Sequence, residues 1–161
     1  LTEVNVMNEL VYRNLSEDAK RQICAWKYGG EYDLYNLPAY EEMQVRQIGF
    51  MNPQRKKNYY GFWDESILVG FVNILEEKEE VFIGIGVNPD LCNKHYGQRM
   101  LLIAYEISKK LYPNKPLYLE VRTWNIRAVK CYQKAGFRID GQAYELTTGI
   151  GTGTFYRMIR E

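Results

Sequence analysis

The stretch 81–140 constrains the fold most, because strand-like and helix-like runs alternate there with a stop between each. The apolar, β-rich run 81–87 ends at Asn88-Pro89-Asp90, and 88–96 reads as a tight polar loop. From Gly97 onward Met100, Leu101, Ala104, Tyr105, Ser108 and Leu111 recur at helical spacing until Pro113 forbids continuation. A strand over 117–122 follows. The spacing then predicts a helix over 125–135, with Ala128, Cys131, Tyr132 and Ala135 on one face and Gly136 ending it. Runs 137–140 and 154–159 read as closing strands.

Upstream, 59–63 and 67–75 are two more β-rich runs, separated by Asp64-Glu65 and followed by Glu76-Glu77-Lys78-Glu79, which makes an antiparallel meander with 81–87. The segment 4–13 reads as a first strand, and the polar stretch 14–18 caps a short helix reaching Trp26 that Gly29-Gly30 would stop. A second helix is expected over 39–47. Three strands, a helix, a strand, a helix and two strands make an α/β sandwich of mixed strand direction.

At 161 residues, 46% hydrophobic and 25% charged, the chain fits one domain, 1–161, with its own core. A formal charge of +1, with basic residues spread apart from Arg55-Lys56-Lys57, gives no nucleic-acid footprint. No apolar run approaches the roughly 20 residues a membrane helix needs. Cys24, Cys92 and Cys131 lack paired metal-ligand spacing, and no secretory signal pattern precedes them, so no metal and a cytoplasmic location are expected.

Two motifs carry chemistry. The first is Val87-x-Pro89 followed by Cys92-Asn93-Lys94-His95-Tyr96-Gly97-Gln98, a strand, turn and helix start of the kind that aims backbone N–H groups and a helix dipole at a pyrophosphate. The second is Leu119-Glu120-Val121, then Asn125, Ala128, Tyr132, Gly136 and Phe137 at fixed spacing across strand, turn and helix. Together they resemble the GNAT superfamily of N-acetyltransferases. That resemblance implies a mixed central sheet of about seven strands, splayed at its parallel centre and flanked by about four helices. It implies acetyl-CoA as co-substrate and an amine acceptor, with a homodimer as superfamily habit.

The phosphate turn departs from the superfamily's usual Arg or Gln, Gly, any residue, Gly, any residue, Gly or Ala. Counted from Pro89, the chain answers with Cys92, Asn93, Lys94, His95, Tyr96 and Gly97, so only the last glycine matches. Glycine suits such turns because it tolerates positive φ, and Asn and His are among the side chains that best share that tolerance. An alternative register with Gly97 as the middle glycine puts Arg99 where a small residue is expected. By the resemblance the pantetheine arm pairs with backbone near Ile85, Gly86 and Val87, and Asn125 contacts it.

Tyr132 is implied to point its hydroxyl at the thioester sulfur, a phenol with a pKa of about 10 that can donate a proton to a leaving thiolate. Glu120 is the candidate base. It lies twelve residues before Tyr132, a spacing similar to that in ribosomal-protein N-terminal acetyltransferases. A carboxylate at the start of the third meander strand is an alternative activator of water. The acceptor, a small-molecule amine or a peptide N-terminus, is expected against the Tyr28, Tyr32 and Tyr35 segment. That segment resembles the Trp-x-Tyr and Tyr-Asp-x-Tyr-Asn signature of a bacterial subgroup, and aromatic faces beside carboxylates suit a cationic amine. The same rings could equally pack the loop onto the sheet. Two rival readings are a ribosomal-protein or peptide N-terminal acetyltransferase and an acyl-CoA-binding sensor without turnover.

Overall fold

The computed structural model describes residues 9–161, in which eight strands form one mixed sheet in the order β1-β2-β3-β4-β5-β8-β6, with β7 paired to β8. The strands are β1 Val11–Asn14, β2 Tyr59–Asp64, β3 Ile67–Glu76, β4 Val81–Val87, β5 Leu117–Arg122, β6 Arg138–Ile139, β7 Tyr144–Thr148 and β8 Gly151–Arg160. The helices are α1 Glu17–Ala25, α2 Tyr40–Arg46, α3 Tyr96–Leu111 and α4 Ile126–Lys134. The chain falls into two compact units, one running to Val72 and adding Ile85–Tyr96, the other formed by Asn73–Gly84 and Gly97–Glu161. Strands β3 and β4 pass from one unit to the other.

In the first unit, Ser16 caps α1 by accepting the Ala19 N–H at 3.1 Å, and Glu17 and Asp18 stand in the first turn where the helix dipole favours them. Ala19, Ile23 and Cys24 bury one face of α1 among Met43, Phe50, Tyr59, Trp63 and Leu68. Glu17 also accepts from the Tyr40 hydroxyl at 2.6 Å, which ties α1 to α2 and, with Lys20 beside it, lowers the carboxyl's pKa. Strand β1 runs antiparallel to β2, with Val11 opposite Trp63. Among the described residues no helix is long and apolar enough to cross a membrane.

In the second unit, α3 buries Met100, Leu101, Ala104, Ile107 and Ser108 along one stripe. Strand β5 alternates, with Leu117, Leu119 and Val121 buried and Tyr118 and Glu120 only partly so. It runs parallel to β4 through Val81–Leu117 and Phe82–Tyr118, where the ladder ends although both strands run on, and antiparallel to β8 over its whole length.

Three expectations need correction. The first strand, placed at 4–13, lies partly outside the described residues and is observed at Val11–Asn14, so Asn14 belongs to the strand rather than to the capping segment. Gly29-Gly30 does not stop α1, which ends at Ala25 when Trp26 turns extended; Gly30, at φ 58, instead opens a 3-10 turn, Gly30–Tyr35. The strand count rises to eight because Tyr144–Thr148 folds back on Gly151–Phe155 as a hairpin. Its Thr- and Gly-rich sequence lacks the β-branched apolar run that marks a strand, and pairing with β8 supplies the order.

Candidate active site

The turn after β4 belongs to the first unit. Asn88 anchors it through its backbone N–H on the Val69 carbonyl at 2.8 Å and its amide on the Leu68 carbonyl at 3.1 Å, while its side-chain oxygen accepts from Asp90 N–H at 3.0 Å. Beyond it Asn93 and His95 stand at φ 66 and 67, the only positive-φ residues between Glu65 and Gly136 among the described residues. These are the two positions that the first register assigns to glycines. The alternative register, with Gly97 in the middle, matches only one left-handed residue, His95 at its first glycine, because Gly97 itself lies inside α3. Lys94 and His95 are exposed and α3 begins at Tyr96, whose hydroxyl donates to Asp64 at 2.5 Å.

At the end of β4 the Tyr28 hydroxyl donates to the Val87 carbonyl at 2.6 Å, and the Tyr28 N–H is held by the Asn36 side chain at 2.6 Å. Tyr28 is therefore joined to the strand expected to pair with a pantetheine arm, while Tyr32 and Tyr35 stand half-buried on the 3-10 turn Gly30–Tyr35. Gly86 is required by close approach: an added Cβ would strike the Phe71 ring, which is wedged among Trp26, Phe50 and Tyr59. Gly86→Ala is expected to cost about 1–3 kcal/mol by overpacking, read as a lower midpoint in urea denaturation.

The second unit carries Glu120 and Tyr132. Glu120 lies opposite Arg157 in the β5–β8 register and accepts from the Tyr144 hydroxyl at 2.5 Å. Arg157 does not pair with it. Its two terminal nitrogens donate to both oxygens of Glu80 at 2.6 and 2.9 Å, its Nε donates to Asp140 at 3.2 Å, and its plane lies 4.4 Å over Tyr118. Hydrogen bonding to Glu80 holds the guanidinium protonated against the opposing effect of burial. Burial first, and the hydrogen bond to Glu120 second, push the Tyr144 phenol up, so it remains a donor at neutral pH. Glu80, the carboxylate at the start of the third meander strand, has both oxygens committed to Arg157.

Helix α4 is fixed at both ends. Asn125, 7% exposed, caps its start by accepting the Ala128 N–H at 3.2 Å. At its end the Phe137 N–H reaches the Tyr132 carbonyl and the Gly136 N–H the Gln133 carbonyl, both at 3.0 Å, with Gly136 at φ 96. This is a Schellman closure, and it explains why Gly-Phe follows Tyr132 at that distance. The Tyr132 side chain is half-buried. Burial raises the Cys131 thiol's pKa and so disfavours a nucleophilic thiolate beside it.

The sequence reading missed Tyr144, Arg157 and Asp140. Tyr144 sits on the strand that went unrecognised, and Arg157 reveals its role only through register with β5. No local motif marks either one.

A family model described as the acetyltransferase (GNAT) family matches residues 13–137. The chain belongs to that family, and the N-acetyltransferase class expected from its motifs stands with it. No curated protein sequence matches significantly. Among solved structures, a GNAT-family acetyltransferase from Bacillus anthracis aligns at TM-score 0.75 with 16% identity over 93% of each chain. Spermidine N-acetyltransferase from Vibrio cholerae, in complex with CoA and spermine, aligns at 0.72 with 18% identity over 93% of this chain and 94% of that one. AAC(6')-Ib in complex with ribostamycin and coenzyme A aligns at 0.72 with 16% identity over 94% and 93%. At these identities the likeness is one of fold.

Proposed function

We propose that the protein transfers an acetyl group from acetyl-CoA to a primary amine by direct attack in a ternary complex. The observation that carries this is the left-handed pair Asn93 and His95 in the turn before α3. These side chains adopt the backbone form for which the family ordinarily uses glycine, which supports reading the turn as one that offers amides to a diphosphate without those glycines. In this reading the amides of residues 92–98 hold the diphosphate, backbone at 85–87 and Asn125 hold the pantetheine arm, and Tyr28, Tyr32 and Tyr35 face the acceptor.

Acetyl-CoA supplies an activated carbonyl. The amine nitrogen forms a bond to the carbonyl carbon and the carbon–sulfur bond breaks, so one proton leaves nitrogen and one is needed at sulfur. Glu120 takes the first and Tyr132 gives the second. A neutral amine is required, and at pH 7 most of a peptide N-terminus (pKa about 8) or a lysine-like amine (about 10.4) is charged, which gives the base its purpose. The partners in the spermidine enzyme and AAC(6')-Ib complexes are amines, which supports testing polyamines and amino sugars beside peptides.

The test is ligand-dependent melting. A ligand binding only the native state at 100 times its Kd stabilises by about 2.7 kcal/mol, so acetyl-CoA should raise Tm by several degrees. His95→Gly should retain or strengthen that shift. His95→Val, which places a β-branched side chain at positive φ, should diminish it. No shift with the wild-type chain would end this reading, and a shift with no turnover on any amine would leave a sensor in its place.

A further inference from the structure

Strand β3 carries a polar side chain that the reaction above does not use. The side-chain oxygen of Asn73 is buried and has no hydrogen-bond partner. Leaving such an acceptor unpaired costs about 1–3 kcal/mol, and native proteins rarely keep one without a reason. Its surroundings suggest the reason. A Cβ built on Gly84 would lie 3.5 Å from Asn73 Cβ and 3.5 Å from the Phe82 ring, so the three residues share one face of the sheet, and at Gly84 β4 sets no side chain of its own beside Asn73.

That face is the one bearing Glu120. The Phe82 ring packs edge-on against Tyr118 at 5.5 Å, Arg157 lies over Tyr118, and Tyr118 and Glu120 are two apart on β5 and so point the same way. The β4–β5 ladder has already ended at Phe82–Tyr118, two residues before Gly84, the next position on the same side. Asn73, a bare stretch of β4 and Glu120 therefore lie on one face of the second unit.

We infer that Asn73 binds the acceptor, its carboxamide oxygen accepting an N–H from the attacking amine. The inference rests on the transferase reading and adds a specificity to it. A neutral primary amine has two N–H groups: one proton goes to Glu120 as the carbon–nitrogen bond forms, and the other stays with Asn73 throughout. A secondary amine has only one and must give up the Asn73 contact. A neutral amide also suits the step better than a carboxylate, which would stabilise the unreactive ammonium.

The experiment compares wild type, Asn73→Leu and Asn73→Asp on spermidine, ribostamycin and a seryl hexapeptide, with Tm recorded for each protein. Asn73→Leu removes the acceptor at similar volume, so Tm should hold or rise while kcat/KM for the acceptor falls about tenfold and the acetyl-CoA KM stays within twofold. Asn73→Asp should move the rising limb of the pH profile to higher pH. A marked fall in Tm for Asn73→Leu would show that the oxygen serves the fold. Unchanged kcat/KM in an active background, or an equal rise in acetyl-CoA KM, would also overturn the inference. A wild type that turns over none of the three acceptors would instead sink the transferase reading and take this one with it.

Discussion

Replacing Glu120 by Gln is expected to lower kcat/KM at pH 7 by roughly 100-fold to 10,000-fold, the range in which a positioned general base contributes. The substitution isolates the proton transfer. A Gln side-chain oxygen can still accept from the Tyr144 hydroxyl, which now meets the carboxylate at 2.5 Å, so the β5–β7 connection and the fold should survive. What is lost is a group that can take a proton from the amine. Residual activity should then climb with pH as the acceptor becomes neutral by itself, steeply for a lysine-like amine and less so for a peptide N-terminus.

Tyr144 gives the same experiment a second readout. Burial and the neighbouring carboxylate keep its phenol protonated across the neutral range, so it remains the donor in its contact with Glu120. Removing that donor with Tyr144→Phe should free the Glu120 side chain from this contact and lower kcat/KM while Tm is nearly kept. Arg157 cannot substitute for it, because its nitrogens are engaged with Glu80 and Asp140. An Glu120→Gln rate within threefold of wild type, with the pH profile intact, would dismiss Glu120 as the base.

The contrast between Asn93 and Tyr144 shows what the sequence could and could not convey. Asn93 and His95 were legible because the physical demand at their positions is local: a turn needing positive φ accepts few side chains, and these two are among them. The helices were legible for a similar reason, with Pro113, Gly136 and the Ser16 cap each acting within one turn of the residue concerned. Tyr144 and Arg157 depend on pairing across the sheet. Glu120 meets Arg157 because β8 runs antiparallel to β5 in one register, and a slip of a single residue would put Arg157 on the opposite face. Asn73 is hidden more deeply still. Nothing in Val72-Asn73-Ile74 distinguishes a polar residue turned to solvent from one whose oxygen is buried, and only the absent side chain of Gly84 gives it meaning.

Tyr132→Phe is expected to lower kcat by about 100-fold or more while leaving the acetyl-CoA KM nearly unchanged, because in the proposed reaction the hydroxyl acts when the carbon–sulfur bond breaks rather than when the thioester binds. The position is well defended against indirect effects. Helix α4 is held by the Asn125 cap at its start and by the Gly136-Phe137 closure on the Tyr132 carbonyl at its end, and Phe keeps the ring and both backbone contacts. The defect should depend on the leaving group. A thiol of lower pKa needs less help from an acid, so an acetyl thioester of an aromatic thiol should restore much of the lost rate. The neighbouring thiol provides the control. Cys131 lies one residue away with its pKa raised by burial, and the proposed direct attack gives it no covalent duty, so Cys131→Ala should keep turnover. If Cys131→Ala were inactive while Tyr132→Phe kept its rate with both thioesters, the proton donor would be misassigned and an acyl-cysteine route would have to replace direct attack.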